Sequence, residues 1–456
     1  MTQLNPALPD GACCAECAGE RPAMPPVVTA RPPLPQAPVA RRPAIRRGDD
    51  RAVTSAGVLL AAGLLGLAGV SAARAALGGT IWLPLHIALA GAAGTAIAAV
   101  LPFFTTAIGQ VAPASRLVRA GAIGAIAAGS LIAGLGMTAG QSGVAAVGGA
   151  TYIGGLLATA AVAFLPLRSA LGFRPRLVDL AYLVAIGEVT VGVALATAML
   201  AGWSPVAGAW GAIKPAHAWL NVFGFVTVVI AASLVHLAPT VAGARIRPRP
   251  AAAIALAGLM LGAPLVALGF ATGWEVVARV GAVVEIIGAA ALVFHGAAVQ
   301  RDRGRWTSDR GWHRFAGLSL VAAPGWLVMT VVIAAGRVLW LGPTAEAWDI
   351  RLLVVPLVAG WIGQVLVGAW THLVPAIGPG DQARHAVQRQ WLGRAATSRW
   401  LLWNGGVVLG TAGLLVGANL LAALGGVALA VALGTALGLL AALAVAGHPS
   451  RSVAPA

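Results

Sequence analysis

Residues 217–243, HAWLNVFGFVTVVIAASLVHLAPTVAG, are the stretch that decides the fold. The stretch is almost wholly apolar, and as an α-helix it is long enough to cross the roughly 30 Å hydrocarbon core of a bilayer. Its polar side chains include His217, Asn221 and His236. Polar groups in such a segment cost free energy and are usually retained for a function. The stretch therefore predicts a membrane-spanning helix that carries a site.

Apolar stretches of this kind recur along nearly the whole chain, in which 59% of the 456 residues are hydrophobic and 10% are charged. Structure that spans a membrane is helical or a closed barrel, and barrel strands alternate apolar and polar residues. Because these stretches do not alternate, we predict an all-α polytopic membrane protein with its transmembrane domain at 51–446. Its twelve predicted segments lie near residues 52–73, 80–104, 117–137, 143–166, 178–201, 213–239, 251–271, 277–299, 315–336, 351–376, 397–418 and 421–446.

The basic residues are divided unequally between the two ends of the predicted segments. The chain has a net charge of +16, and 25 of its 30 Lys and Arg residues lie on the side that holds both termini. Basic loops stay in the cytoplasm. We therefore expect cytoplasmic termini in a plasma-membrane protein, and we attribute the charge to topology rather than to nucleic-acid binding.

The two chain ends lack the apolar pattern. Residues 1–50 are rich in Pro and Arg and predict a disordered cytoplasmic tail, and residues 447–456 predict a short cytoplasmic tail at the other end. The first tail holds all three cysteines, Cys13, Cys14 and Cys17. Thiolates at this spacing suit Cu(I) or zinc, but closed zinc sites take four ligands, so ordinary reduced thiols are the favoured interpretation.

An internal repeat is predicted from segments 2, 6 and 10, which end in LPFFTTAIG, HLAPTVAG and HLVPAIGPG. Their prolines, Pro102, Pro239 and Pro375, recur at an almost constant spacing. The following segment carries two glycines seven residues apart each time, and small residues let membrane helices approach closely. We infer three four-helix units with segments 2, 6 and 10 at the centre. The glycine pairs are Gly129 and Gly136, Gly262 and Gly269, and Gly410 and Gly417.

Four of the eight histidines lie well within segments 2, 6 and 10. Even-numbered segments run from the outside inwards in the predicted topology, so His86 and His217 lie near the outer face. His236 and His372 lie near the inner face for the same reason. Of the remaining histidines, His313, His385 and His448 fall in loops or beyond the last segment and are interpreted as peripheral, and His295 ends segment 8 at the inner interface.

The two histidine layers predict metal or haem binding. Imidazole is the commonest metal ligand among side chains, and histidines from facing helices hold such groups in bundles. A ligating histidine needs a hydrogen-bond partner on its other nitrogen, and Asn221, four residues after His217, is placed to serve. For a single histidine, a hydrogen bond to a carbonyl would be the better explanation. Four layered histidines favour the metal interpretation, and two of them complete the axial positions of a haem but leave copper under-coordinated.

Two carboxylates also fall inside predicted segments, Glu188 in segment 5 and Glu285 in segment 8. Such groups are expected to face the bundle, where they relay protons or pair with a cation. A neutral glutamic acid making one interhelical hydrogen bond is an equal alternative. The sequence carries no nucleotide-binding, serine-hydrolase or zinc-protease motif.

With twelve helices, a four-helix repeat and histidines on helices 2, 6 and 10, the chain resembles the haem–copper oxidase subunit I superfamily. The phrases HAWLNVFGFV and VHLAPTVAG are more similar to NnrS-type haem- and copper-containing membrane proteins. The resemblance covers roughly residues 52–446 in architecture and only short stretches in motif. Segment 7 lacks the histidine pair of the respiratory oxidases, so a complete oxidase is not expected.

The resemblance implies a membrane protein that binds haem b or copper. It would transfer electrons, with a redox partner protein, or handle copper or nitric oxide. The alternative is a proton-coupled secondary transporter that uses the intramembrane His and Glu residues. A third interpretation is a membrane scaffold in which the histidines are structural.

Overall fold

The computed structural model describes residues 47–76, 78–169, 176–304, 313–378 and 381–445. Within these ranges the chain is helical and contains no β-strand, which confirms the all-α polytopic fold. The predicted tails, including Cys13, Cys14 and Cys17, fall outside the described residues, apart from the start of the first helix.

A long helix stands at each of the twelve predicted segments. Eleven are long and apolar enough to cross a membrane. The other, α11, has 21 residues, and Arg399 and Asn404 near its start lower its hydropathy. In chain order the helices are α1 (Arg47–Ala76), α2 (Trp82–Gly109), α3 (Arg116–Thr138), α4 (Ser142–Phe164), α5 (Leu177–Leu200), α6 (Trp210–Ala242), α7 (Pro250–Thr272), α8 (Glu275–Arg301), α9 (His313–Leu341), α10 (Ala345–Ile377), α11 (Ala396–Val416) and α12 (Asn419–Val445).

Helix ends follow local sequence signals. The side chain of Ser115 accepts a hydrogen bond from the Val118 N–H at the start of α3. Gly243 and Gly273 end α6 and α7 in the left-handed conformation, with φ of 63° and 74°. Such ends turn the chain back into the bundle within a few residues.

The helices α2, α6 and α10 lie at the centre of the described bundle. Within their apolar windows 72, 78 and 67% of residues are buried, against at most 56% for the other spans. Each contains a π-helical segment, at Ile87–Ala93, Trp219–Thr227 and Val355–Gly363. The Trp361 indole N–H donates to the Thr227 hydroxyl oxygen at 3.1 Å and so joins two of these segments. Such segments often mark functional sites, because the extra residue displaces neighbouring side chains.

Glycines set the close packing of three successive helix pairs, α3 with α4, α7 with α8, and α11 with α12. A Cβ placed on Gly129 would lie 2.6 Å from the Tyr152 nitrogen, and one on Gly262 would lie 2.7 Å from the Glu285 nitrogen. The contact at the same sequence separation in the third pair is Gly406, at 3.1 Å from the Leu429 nitrogen. Only glycine fits backbones this close.

The third pair differs from the prediction by one helical turn. In the third pair, the position that matches Gly136 and Gly269 is occupied by Gly413. Gly417 instead ends α11 with φ of 69°. Gly410 instead lies against Gly425. The connection before α11 contains an extra helix, Gln382–Leu392. A residue count from Pro375 therefore does not reach the same packing position as the counts from Pro102 and Pro239. The matching contacts support the repeat of three four-helix units, which stays a prediction.

Candidate functional site

A largely apolar cavity of about 280 Å³ lies among α2, α3, α4, α5 and α6. Both histidines of the predicted outer layer, His86 and His217, line it. They lie about 6 and 10 Å along their helices from the first residue, at 1.5 Å per residue. The structure therefore brings together the two side chains that the sequence assigned to one layer.

His86 immediately precedes the π-helical segment of α2. Its Nδ1 lies 2.9 Å from the Trp82 carbonyl oxygen, and its ring stacks on the Trp82 indole with centroids 3.9 Å apart. Because a carbonyl oxygen only accepts, Nδ1 carries the proton and donates. Nε2 is then the nitrogen with a free lone pair, and it has no hydrogen-bond partner within the described ranges.

His217 is anchored in the same way on α6. Its Nδ1 donates to the Gly192 carbonyl of α5 at 2.9 Å. The Asn221 amide nitrogen lies 3.0 Å from Nδ1 and 3.1 Å from Nε2. Since Nδ1 already donates, the Asn221 amide donates to Nε2. Asn221 therefore contacts the atom that a metal would bind, rather than supporting the opposite nitrogen as the sequence predicted.

His86 and His217 are near enough for their rings to interact electrostatically. Two thioethers that the sequence analysis did not single out, Met137 and Met199, also line the cavity. Thioether sulfur and imidazole nitrogen both suit Cu(I). Their positions on α3 and α5 carry no local signal, because a lone methionine in an apolar helix is usually a packing residue.

The cavity adjoins a polar vestibule at the end of the bundle where α2, α6 and α10 begin. Lys214, Trp348 and Ile350 border both spaces. The vestibule has a volume of about 650 Å³ and is further lined by Ile81, Arg337, Ala345, Glu346, Asp349 and Arg351. Lys214 therefore places a cation at the junction of a polar entrance and an apolar interior.

The two predicted inner histidines have different neighbours. His372 lies against His313 at the start of α9, with ring centroids 5.5 Å apart. His236 lies in electrostatic range of Arg176 and Asp179, which form an ion pair of 2.8 Å at the start of α5. Neither inner histidine lines the cavity. His313, which the sequence analysis placed in a loop, is therefore a neighbour that sequence reasoning missed.

The two intramembrane carboxylates are buried near the middle of their helices. Glu285 is fully buried in α8, and Glu188 in α5 is 7% exposed. Each carboxyl group rests against a glycine of another helix, Glu188 against Gly224 and Glu285 against Gly262. These contacts place the two carboxylates away from lipid, as the sequence predicted.

The residues of the cavity fit a haem or a two-coordinate copper ion better than a metal with a full protein ligand set. No group of three or more His, Cys, Asp or Glu side chains is arranged to hold a metal ion in the described part of the chain. Two imidazoles with anchored Nδ1–H groups would supply two nitrogen ligands once the Asn221 amide leaves Nε2 of His217. The walls between them are apolar side chains that suit a flat apolar group.

No protein-family model matches this sequence, and no curated protein matches it. The resemblance to the NnrS-type and haem–copper oxidase families therefore stays a prediction.

Proposed function

We propose that the protein is an integral membrane haem- or copper-binding protein, with the group held in the cavity between α2 and α6. The proposal rests on the position and hydrogen bonding that His86 and His217 have in common. Both line one apolar cavity, and both donate Nδ1–H to a backbone carbonyl. That hydrogen bond fixes the tautomer and orientation in which Nε2 is a ligand.

Each part of the cavity has a role in this proposal. His86 and His217 would hold the metal, and the Asn221 amide would turn away from His217 when it binds. Lys214 at the mouth is placed to pair with an anionic substituent such as a haem propionate. A bound haem or copper supplies one-electron redox chemistry. The apolar walls would keep water from the bound group.

With such a group the protein would transfer electrons or handle copper or nitric oxide. A redox partner protein would then dock at the vestibule end, nearest to the cavity. We further propose a plasma-membrane location with both termini in the cytoplasm, on the basis of the basic-residue asymmetry. This orientation places the vestibule outside the cell.

The test is the haem spectrum and metal content of the purified full-length protein and its variants. We expect a Soret band or bound copper in the wild type, and its loss in both His86→Ala and His217→Ala. His236→Ala and His372→Ala are matched controls, which should retain the group because they do not line the cavity. Met137→Leu with Met199→Leu should lower occupancy only if the group is copper. A wild type with neither haem nor copper would refute the proposal.

A proton-coupled secondary transporter is the second candidate. The continuity of the polar vestibule with the buried cavity favours it, because a solute needs such a path. Here the histidines would bind protons or solute instead of metal. Uptake into vesicles that depends on a pH gradient, with a colourless and metal-free protein, would support this candidate over the first.

A further inference from the structure

A pair of buried acids lies in the membrane core on the cytoplasmic side of the cavity in the predicted topology. Glu188 lies about 18 Å from the C-terminal end of α5 and Glu285 about 15 Å from the N-terminal end of α8, at 1.5 Å per residue. These ends lie on the same side of the bundle, because α5 and α8 have opposite directions in the predicted topology. The two carboxyls are therefore at a similar depth, and they interact electrostatically.

Glycines form a seat for each carboxyl group. A Cβ on Gly224, in the π-helical segment of α6, would lie 1.9 Å from Oε2 of Glu188. A Cβ on Gly262 of α7 would lie 2.4 Å from Oε2 of Glu285. Any other residue at either position would occupy the space of the carboxyl group. The two seats belong to α6 and α7, which pack on each other.

All four carboxyl oxygens are enclosed and without a hydrogen bond in the described part of the chain. The backbone N–H of Ala263 approaches the Glu285 carboxyl group without forming a hydrogen bond to it. An ionised carboxylate without water, donor or counter-ion is costly, and two close to each other repel. At least one acid of the pair must therefore carry a proton.

No cation neutralises the pair among the described residues. Helix α7, which carries one of the seats, has no titratable side chain. The titratable groups of α5, α6 and α8 lie at least six residues, or about 9 Å of helix rise, from Glu188, Gly224 or Glu285. They are Asp179, Tyr182, Lys214, His217, His236, Glu275, Arg279, His295 and Arg301. Helix α4, which packs on α5, carries Tyr152, and α9, which packs on α8, carries His313, Arg314 and Arg337 towards its ends.

We propose that Glu188 and Glu285 form a proton-binding pair in the membrane core, which takes up and releases protons through the cavity. The route is visible in the contacts of α5 with α6. The Asn221 side chain lies against Gly192, one turn beyond Glu188 on α5, and Asn221 donates to His217 at the cavity wall. Glu188 lies against Gly224, one turn further along α6. Along α6, Asn221 thus lies between His217 at the cavity wall and the seat of Glu188 at Gly224.

The pair binds protons whether or not the cavity holds a metal, so this inference stands apart from the proposed function. The test is infrared spectroscopy of the purified full-length protein at neutral pH. A protonated carboxylic acid has a C=O stretch that is separate from the carboxylate bands and shifts in D₂O. We expect this band in wild type, a band from the remaining acid in Glu188→Gln and in Glu285→Gln, and a complete loss in the double variant.

Two further measurements keep the result interpretable. Glu275→Gln removes an exposed acid that pairs with Arg279, and it should leave the C=O band unchanged. Size-exclusion profiles check folding, and glutamine is a neutral isostere of a protonated acid, so the variants should stay monodisperse. A wild type with no protonated-acid band, or a band that survives in the double variant, would overturn the proposal. A band that disappears when sodium is added would overturn it in favour of a metal-cation site.

Discussion

Replacing Gly224 with alanine tests the seat beneath Glu188 directly. The new Cβ would lie 1.9 Å from Oε2, 3.0 Å from Cδ and 3.3 Å from Cβ of Glu188. To restore an ordinary contact of 3.4 Å, the carboxyl oxygen must move by about 1.5 Å. Glu188 is enclosed by its neighbours, so this movement displaces other buried atoms.

The expected cost follows from overpacking. Forcing extra volume into a packed interior costs about 1–3 kcal/mol of unfolding free energy. Gly187→Ala is the matched control, because Gly187 precedes Glu188 on the exposed face of α5 and has nothing within 4 Å of a built Cβ. Alanine there gains up to about 1 kcal/mol in helix propensity. The two variants should therefore change stability in opposite directions.

The assay is unfolding of the detergent-solubilised protein, arranged as a double-mutant cycle. Shortening the acid with Glu188→Ala should remove the clash and restore part of the stability lost in Gly224→Ala. We expect a coupling free energy of about 0.5–3 kcal/mol between the two substitutions. Equal stability of Gly224→Ala and Gly187→Ala, or strictly additive effects in the cycle, would show that Glu188 does not occupy this seat.

Two other predictions test contacts between helices, and a third tests the predicted topology. Gly406→Ala should destabilise the protein by about 1–3 kcal/mol through its contact with α12, whereas Gly405→Ala, which meets nothing within 4 Å, should not; equal effects would count against the α11–α12 contact. Trp361→Phe should cost about 0.5–1.5 kcal/mol by removing the hydrogen bond between α10 and α6, and an unchanged unfolding free energy would contradict it. In a background without the native cysteines, an impermeant thiol reagent added to cells should label a cysteine at Gly208 and not one at Ala244; the reverse pattern would invert the predicted topology.

The composition and apolar runs were sufficient to predict the fold class. A helix in lipid satisfies its own backbone hydrogen bonds, so a run of apolar residues decides its structure locally. For the same reason the sequence located the twelve long helices of the described residues, including the less apolar α11. The central position of α2, α6 and α10 was also predicted, from the almost constant spacing of Pro102, Pro239 and Pro375 and the three four-helix units inferred from it.

The histidine layers were predictable only in part. Depth follows from position along a helix, and His86 and His217, which were assigned to one level, line one cavity. Whether two side chains at one depth face each other depends on the rotation of each helix. His236 and His372 share a depth, yet the structure places His372 beside His313 and His236 near Asp179. Helix rotation is set by packing against neighbours, which no single segment encodes.

By itself the sequence determined which residues form the long apolar helices and which polar groups are retained within them. The tertiary structure decided which of those groups share a site. Glu188 and Glu285 are nearly a hundred residues apart on non-adjacent helices, and each carboxyl has room only because it lies against a glycine of another helix, Gly224 or Gly262. The physical reason is that hydropathy acts on each helix separately, whereas close backbone approach depends on small residues of two helices meeting in register.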